Sequence, residues 1–438
     1  MTAAPESLRR DLTRTGIALL VVNGIIGAGI FGLPSEAARL VGTFSPWLFV
    51  ICGIIMATVM LSFAQAASYF DATGGPILYT WTAFGPFIGF QTGWILYVGR
   101  ATSIAANVNL LATYLGSLIP GADVGPGRLT VIVLTVVVFT WINFVGVKSS
   151  VGAIAAITIV KLAPLAVLVL VGITWIRGDA VVPEGLPGYA NFGEAMLLVV
   201  YAFIGFEGAL IPAGETRHPE RSIPIALLAT GLITTVFYVL VQSVVASVLP
   251  DLGTSKRPLA DAAGVIFGTV GVLVITATAA VSILGNTAAS MLTAPRMTYT
   301  MARYGTLPTP LARVHDRYLT PHLSILLYGA LSLGLALSGT FAWLAGMSSL
   351  ARILGYILCI ASLPRLKARF GDRPGALRLP GGMTIPVIAL LVCAWLVMQT
   401  KLDAVLVTAG FIGGGILLYG FSKRGGRTEP AEHADAST

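Results

Sequence analysis

Charged side chains are scarce in this chain. Asp, Glu, Lys and Arg make up 11% of its 438 residues, against roughly 25% in an ordinary soluble domain. That scarcity argues against a soluble enzyme, a disordered chain and a nucleic-acid binder, each of which needs far more charge at its surface. Cysteine is nearly missing as well. Cys52, Cys359 and Cys393 all lie inside apolar runs, where cysteine acts as a small hydrophobe, so there is neither a disulfide framework nor a zinc spacing. The four histidines (His218, His315, His322, His433) sit in connecting segments or the tail and form no ligand cluster. A Ser–His–Asp set is lacking. The nearest approach to a phosphate loop, Gly146-Val147-Lys148-Ser149, has no upstream glycine. No metal, cofactor or covalent chemistry is therefore expected.

What the chain has is apolar length. Hydrophobic residues make up 56% of it and glycine contributes 50 positions. At about 20 residues per membrane-spanning helix, that content matches about twelve spans. Apolar runs fall near 16–40, 44–68, 84–118, 128–147, 151–176, 190–214, 223–249, 262–295, 321–338, 341–363, 384–400 and 403–421. The expectation is an all-α polytopic membrane protein with twelve transmembrane helices. The first run is too long for a signal peptide and lacks a small-residue cleavage site. Residues 1–15 are read as a cytoplasmic N-terminus and 422–438 as a disordered cytoplasmic tail.

An even number of spans puts both ends on one side. Eighteen of the 27 Lys and Arg residues fall in segments on the side of the termini, and six (Arg39, Arg128, Arg177, Lys256, Arg257, Lys401) fall on the other. Positive charge collects on the cytoplasmic side, so both termini are expected in the cytoplasm and the chain in a plasma (inner) membrane. The formal charge of +8 is then a topology signal that needs no acidic partner.

Two runs contain helix breakers at membrane depth. The first reads Asn23-Gly-Ile-Ile-Gly-Ala-Gly-Ile-Phe-Gly-Leu-Pro34. Its G-x-G-x-x-G has dinucleotide meaning only between a strand and an amphipathic helix. Close helix packing by small residues is one alternative, and a deliberate break at Gly27, Ala28 and Gly29 is another. The sixth run, Tyr201-Ala-Phe-Ile-Gly-Phe-Glu-Gly-Ala-Leu-Ile-Pro212, has the same character around Gly205. Unwinding in a bilayer frees peptide groups that cost several kcal/mol each unless satisfied. Free N–H groups at one break suit a carboxylate, and free carbonyls at the other suit an ammonium. Breaks at corresponding positions of two halves point to a transporter's central site, so the pair forms a cradle for a zwitterion.

These residues resemble the amino acid–polyamine–organocation (APC) transporter superfamily. The likeness rests on Gly24–Pro34, Thr73–Gly93, Lys161–Pro164, Phe203–Pro224 and Ala294–Pro321. It implies a five-plus-five inverted repeat shared with sodium-coupled neurotransmitter transporters, with repeats over 16–176 and 190–363 and two added helices over 384–421. It also implies that an amino acid's carboxylate meets Ile26, Gly27, Ala28, Gly29 and Ile30, and its ammonium meets Phe203, Ile204, Gly205 and Phe206. Tyr201 matches an aromatic that one antiporter of the superfamily sets against its substrate's aliphatic part; a packed tyrosine is the alternative. Ser103, Ala106 and Ser290 match pocket-lining positions. Ser290 stands where that antiporter has a large aromatic, which weighs against an arginine-like substrate. The small Ala28, Ala106 and Ser290 favour neutral amino acids of small to medium size.

Charges inside spans are functional candidates by default. Lys161 lies mid-run, and the resemblance places it against the first break near Ser282 and Asn286, where sodium-coupled relatives hold sodium. Its ammonium could replace that ion and exchange a proton during the cycle; snorkelling or a structural ion pair is the alternative. Glu207 could meet the substrate amine, carry a proton, or tie two half-helices together. Arg100 and Arg352 are expected to pair within the interior. The run Glu215-Thr-Arg-His-Pro-Glu-Arg221 is read as an inner-gate loop. The expectation is a sodium-independent secondary transporter of amino acids, proton-coupled or exchanging. A polyamine or organic-cation carrier and a non-transporting receptor stand as alternatives. The expected partners are the bilayer, a small-molecule amino acid and possible protons.

Overall fold

In a computed structural model of the chain, residues 14–70, 74–146, 151–215, 219–371, 373 and 375–424 are described. Most of the N-terminal segment, the tail from 425, Lys148 and the middle of the inner-gate run (216–218) lie outside the described residues. Among those described there is helix and turn, and no strand. The fifteen α-helices in chain order are α1 (Arg14–Ile25), α2 (Gly29–Val41), α3 (Ser45–Ala67), α4 (Pro76–Phe84), α5 (Pro86–Leu115), α6 (Gly125–Val145), α7 (Val151–Gly172), α8 (Gly178–Val181), α9 (Tyr189–Phe203), α10 (Pro219–Val248), α11 (Pro258–Arg303), α12 (His322–Ser338), α13 (Phe341–Phe370), α14 (Thr384–Met398) and α15 (Leu402–Arg424).

Each apolar run in the sequence holds helix. Seven helical stretches are long and apolar enough to cross a membrane, and four apolar helices are shorter. Two of the short ones, α1 and α9, are first halves of interrupted helices. The other two, α12 with 17 residues and α14 with 15, rise only about 25 and 22 Å, less than a 30 Å hydrocarbon core.

Burial shows which solvent the surface is made for. Leu134 of α6, Leu170 of α7, Leu232 of α10, Val270 of α11, Leu391 of α14 and Leu417 of α15 are each at least 60% exposed. Large leucine and valine side chains pointing outward from six helices face hydrocarbon, since a soluble protein would bury such a band. The chain is a multi-pass membrane protein. Polar side chains are turned inward instead. Asn107, Asn109, Gln65, Gln242, Lys161, Glu207 and Arg352 are all buried.

At the centre α5 packs along α13, α3 along α10, and α2 along α9. Gly99 on α5 and Gly53 on α3 allow this closeness; a Cβ on Gly99 would lie 3.1 Å from Arg352 Cγ. The run read as 84–118 contains a sharp corner at Gly85, whose φ of 87° separates α4 from α5. The run read as 262–295 belongs to the longer α11, which turns at Gly268 (φ 65°).

Candidate substrate site at two broken helices

Both interruptions lie at the glycine clusters. α1 stops at Ile25 and α2 starts at Gly29, so Ile26, Gly27 and Ala28 are not helical. α9 stops at Phe203, Ile204 is extended, and Gly205 takes φ 107°, a left-handed setting that glycine tolerates. The chain resumes as a ten-residue 3₁₀ segment, Phe206–Glu215, where an α-helical half was expected. Pro212 withdraws an N–H from that segment, and the Gly208 N–H bonds back three residues to Gly205 O at 3.2 Å, which is the tighter winding.

The two breaks press on each other. A Cβ on Gly24 would lie 2.8 Å from Gly205 O, and one on Gly29 would lie 2.8 Å from Ala202 Cα. Glycine here serves backbone-to-backbone approach, so the packing reading and the break reading of the first motif both hold. At the start of α2 the N–H groups of Phe31 and Gly32 turn back to Ala28 O at 3.0 and 3.2 Å, while those of Gly29 and Ile30 have no intrahelical acceptor, with the positive end of the dipole behind them.

Freed carbonyls at the breaks are met from neighbouring helices. Lys161 of α7 is fully buried and donates to Ile26 O at 2.5 Å, Asn23 Oδ1 at 2.9 Å and Asn23 O at 3.3 Å. The lysine thus meets the first break, as the resemblance implied, but makes no hydrogen bond to Ser282 or Asn286. Ser282 Oγ is buried and has no hydrogen-bond partner among the described residues. Tyr238 of α10 reaches Ile25 O at 3.3 Å and Ala202 O at 3.1 Å, so one hydroxyl touches the carbonyl ends of both broken helices.

A polar chain crosses the site. Tyr201 Oη donates to Asn107 Oδ1 at 2.7 Å and approaches Ser103 O at 3.3 Å. Asn107 Nδ2 donates to Asn286 Oδ1 at 3.0 Å, and a Cβ on Gly27 would lie 3.2 Å from Asn286 Nδ2. This sequence of contacts runs from α9 through α5 and α11 to the first break. Phe341 covers it from the start of α13, with its ring edge-on to Tyr201 at 6.0 Å. Ala106 is buried within α5. Ser290 is held by Tyr328 Oη at 2.9 Å, and the Ser103 hydroxyl is shared with Ser348 at 2.8 Å and Arg352 Nη2 at 3.3 Å. Phe203 stacks edge-on against Tyr238 at 5.3 Å, and Phe206 against Phe63 at the same distance.

Beside the second break sits an ion pair. Glu207, 2% exposed, takes Arg352 on Oε1, and on Oε2 the Tyr356 hydroxyl at 2.7 Å and its neighbouring Gly205 N–H at 2.9 Å. Of the three roles open to this carboxylate, the tie across the break is the one its contacts describe. Arg352 pairs within the interior as expected. Arg100 bonds Thr293 Oγ1 at 3.3 Å.

A family model for amino acid permeases matches residues 12–412. The chain belongs to the amino acid permease family. Such a permease is a membrane transporter and not an enzyme. It is similar to a branched-chain amino acid permease of Bacillus subtilis, 25% identical over 91% of this chain and 90% of that one. It is also similar to an uncharacterized transporter of Mycobacterium tuberculosis and its counterpart in Mycobacterium bovis, each 29% identical over 95% of this chain and 92% of theirs.

Sequence reasoning missed several residues of the permease's centre. Asn107 had a visible signal, an amide inside the apolar stretch Ser103–Leu111, where a polar group needs a partner. Gly24 lay inside the quoted motif without a role of its own. Tyr238 and Tyr356 carried no signal, because an aromatic in an apolar run reads as packing until its partner is known.

Proposed function

We propose that this permease is a secondary active transporter of neutral amino acids with small to medium aliphatic side chains, working by alternating access and without sodium. In this reading the chain crosses a plasma membrane twelve times with both termini in the cytoplasm. Residues 16–176 and 190–363 are inverted repeats, and the last two helices are an addition. The N–H groups of Ile26 and Gly27 are spent on Val22 O and Ile25 O, so of the Ile26–Ile30 stretch the substrate carboxylate takes the N–H groups around Ala28–Ile30, and its ammonium takes carbonyls around Phe203–Phe206. The observation that carries the reading is the pair of breaks in contact at Gly24 and Gly205, since a bilayer tolerates unwound backbone where it lines a binding cavity.

Lys161 supports independence from sodium. Its ammonium already supplies a positive charge to Asn23 and Ile26, the oxygens a metal cation would otherwise coordinate. Exchange and proton coupling both fit this arrangement, and both leave the lysine as the coupling group. The name of the Bacillus relative favours leucine, isoleucine and valine as first candidates.

The test is counterflow of labelled leucine in proteoliposomes preloaded with unlabelled leucine. Equal uptake in sodium and choline media is expected, with inhibition by leucine and not by its methyl ester. Labelled leucine that never accumulates overturns transport, and equal competition by the ester overturns the carboxylate contact. Undiminished uptake by Lys161→Ala removes the coupling role.

A further inference from the structure

Two guanidinium groups meet one carboxylate at the centre of the bundle, and Glu207 is already consumed. Arg352, Tyr356 and the Gly205 N–H occupy its two oxygens. Arg100 is left with the neutral Thr293 hydroxyl, and its buried Nε has no acceptor among the described residues. A Cβ on Gly208 would lie 3.2 Å from Arg100 Nη2, so the guanidinium rests against the 3₁₀ segment that follows the second break. Along α5 it is one turn before Ser103. Its partner Thr293 is one turn after Ser290 along α11. The cation therefore stands one turn away from the pocket-lining positions on both helices, toward the Pro86 end of α5.

We propose that Arg100 is a specificity-determining residue that keeps cationic amino acids and polyamines out of the central site. This rests on the transport reading and names the residue that restricts its substrates to amino acids without a positive side chain. Inside a bilayer, a second cation brought within a turn of a guanidinium that has no carboxylate in contact with it is repelled far more strongly than in water. Apolar packing separates leucine from lysine poorly, because the lysine stem is itself hydrocarbon. A built-in repulsive group separates them well.

The test compares uptake of labelled leucine and labelled lysine by wild type, R100Q and R100K in proteoliposomes. The lysine-to-leucine ratio should rise by at least about tenfold in R100Q and stay at the wild-type value in R100K, because charge and not shape sets it. Putrescine should compete with leucine in R100Q alone. A wild type that carries lysine as readily as leucine overturns the proposal, and so does the same ratio in wild type and R100Q. If R100Q carries neither amino acid, the same ratio is read from the melting shifts that lysine and leucine induce in the purified proteins. Absence of both leucine uptake and a leucine shift in wild type strikes the transport reading instead.

Discussion

At the scale of single residues, the centre is held by side chains that finish hydrogen bonds the broken helices leave open. Tyr238 does this for Ile25 O and Ala202 O while its ring packs edge-on against Phe49 and Phe203. Tyr238→Phe keeps the rings and removes the hydroxyl, leaving the buried Ala202 carbonyl short of a donor while Ile25 O keeps the Gly27 N–H at 3.0 Å. A loss of about 1–3 kcal/mol is expected, read as a lower melting temperature in detergent with slower leucine uptake. Glu207 is a harsher case. Glu207→Gln strands a buried guanidinium, and breaking such a pair costs about 3–5 kcal/mol. Removing both partners in Glu207→Gln with Arg352→Met should recover part of that loss, since the guanidinium stranded by the single change is gone as well. A double variant less stable than the sum of the single ones contradicts the pairing.

At the scale of elements, the two breaks act as one joint. Gly205 has a left-handed φ, and a Cβ there would meet Gly24 backbone, so Gly205→Ala is strained in itself and forces the broken helices apart. It should abolish uptake and lower the yield of folded protein. Gly413→Ala in α15 is the matched control, because nothing lies within 4 Å of its Cβ position and alanine favours helix by about 0.5–1 kcal/mol. Equal tolerance of the two substitutions in a melting assay removes the joint from the account. The positions of both breaks were legible in the sequence, because glycines and a proline inside apolar runs contradict the helix those runs otherwise demand. The 3₁₀ winding of Phe206–Glu215 was not, since it depends on how Gly205 and Glu207 are held from α1 and α13. For the same reason Lys161 could be placed at the first break, while its exact acceptors, and the bridges made by Asn107 and Tyr238, depend on partners dozens of residues away. Periodicity and composition carry no record of such pairs.

At the scale of the whole molecule, burial and charge divide the surface by solvent. Leucine and valine face outward on the helices, while arginine and lysine gather at the end of α13 (Arg365, Lys367, Arg369) and just beyond it (Arg373, Arg378). Charge bias orients a helix bundle because positive loops resist translocation. In the proposed topology Arg365, Lys367 and Arg369, rather than the bundle's packing, set the side of the membrane on which α13 ends. Leu186, in the connection between α8 and α9, is 90% exposed and, in the proposed topology, lies on the side with few positive charges. The native cysteines are all buried and give little background to thiol labelling. A membrane-impermeant maleimide should thus modify Leu186→Cys in intact cells and Lys367→Cys only after permeabilisation. The opposite pattern inverts the bundle and turns the Pro86 end of α5 toward the outside.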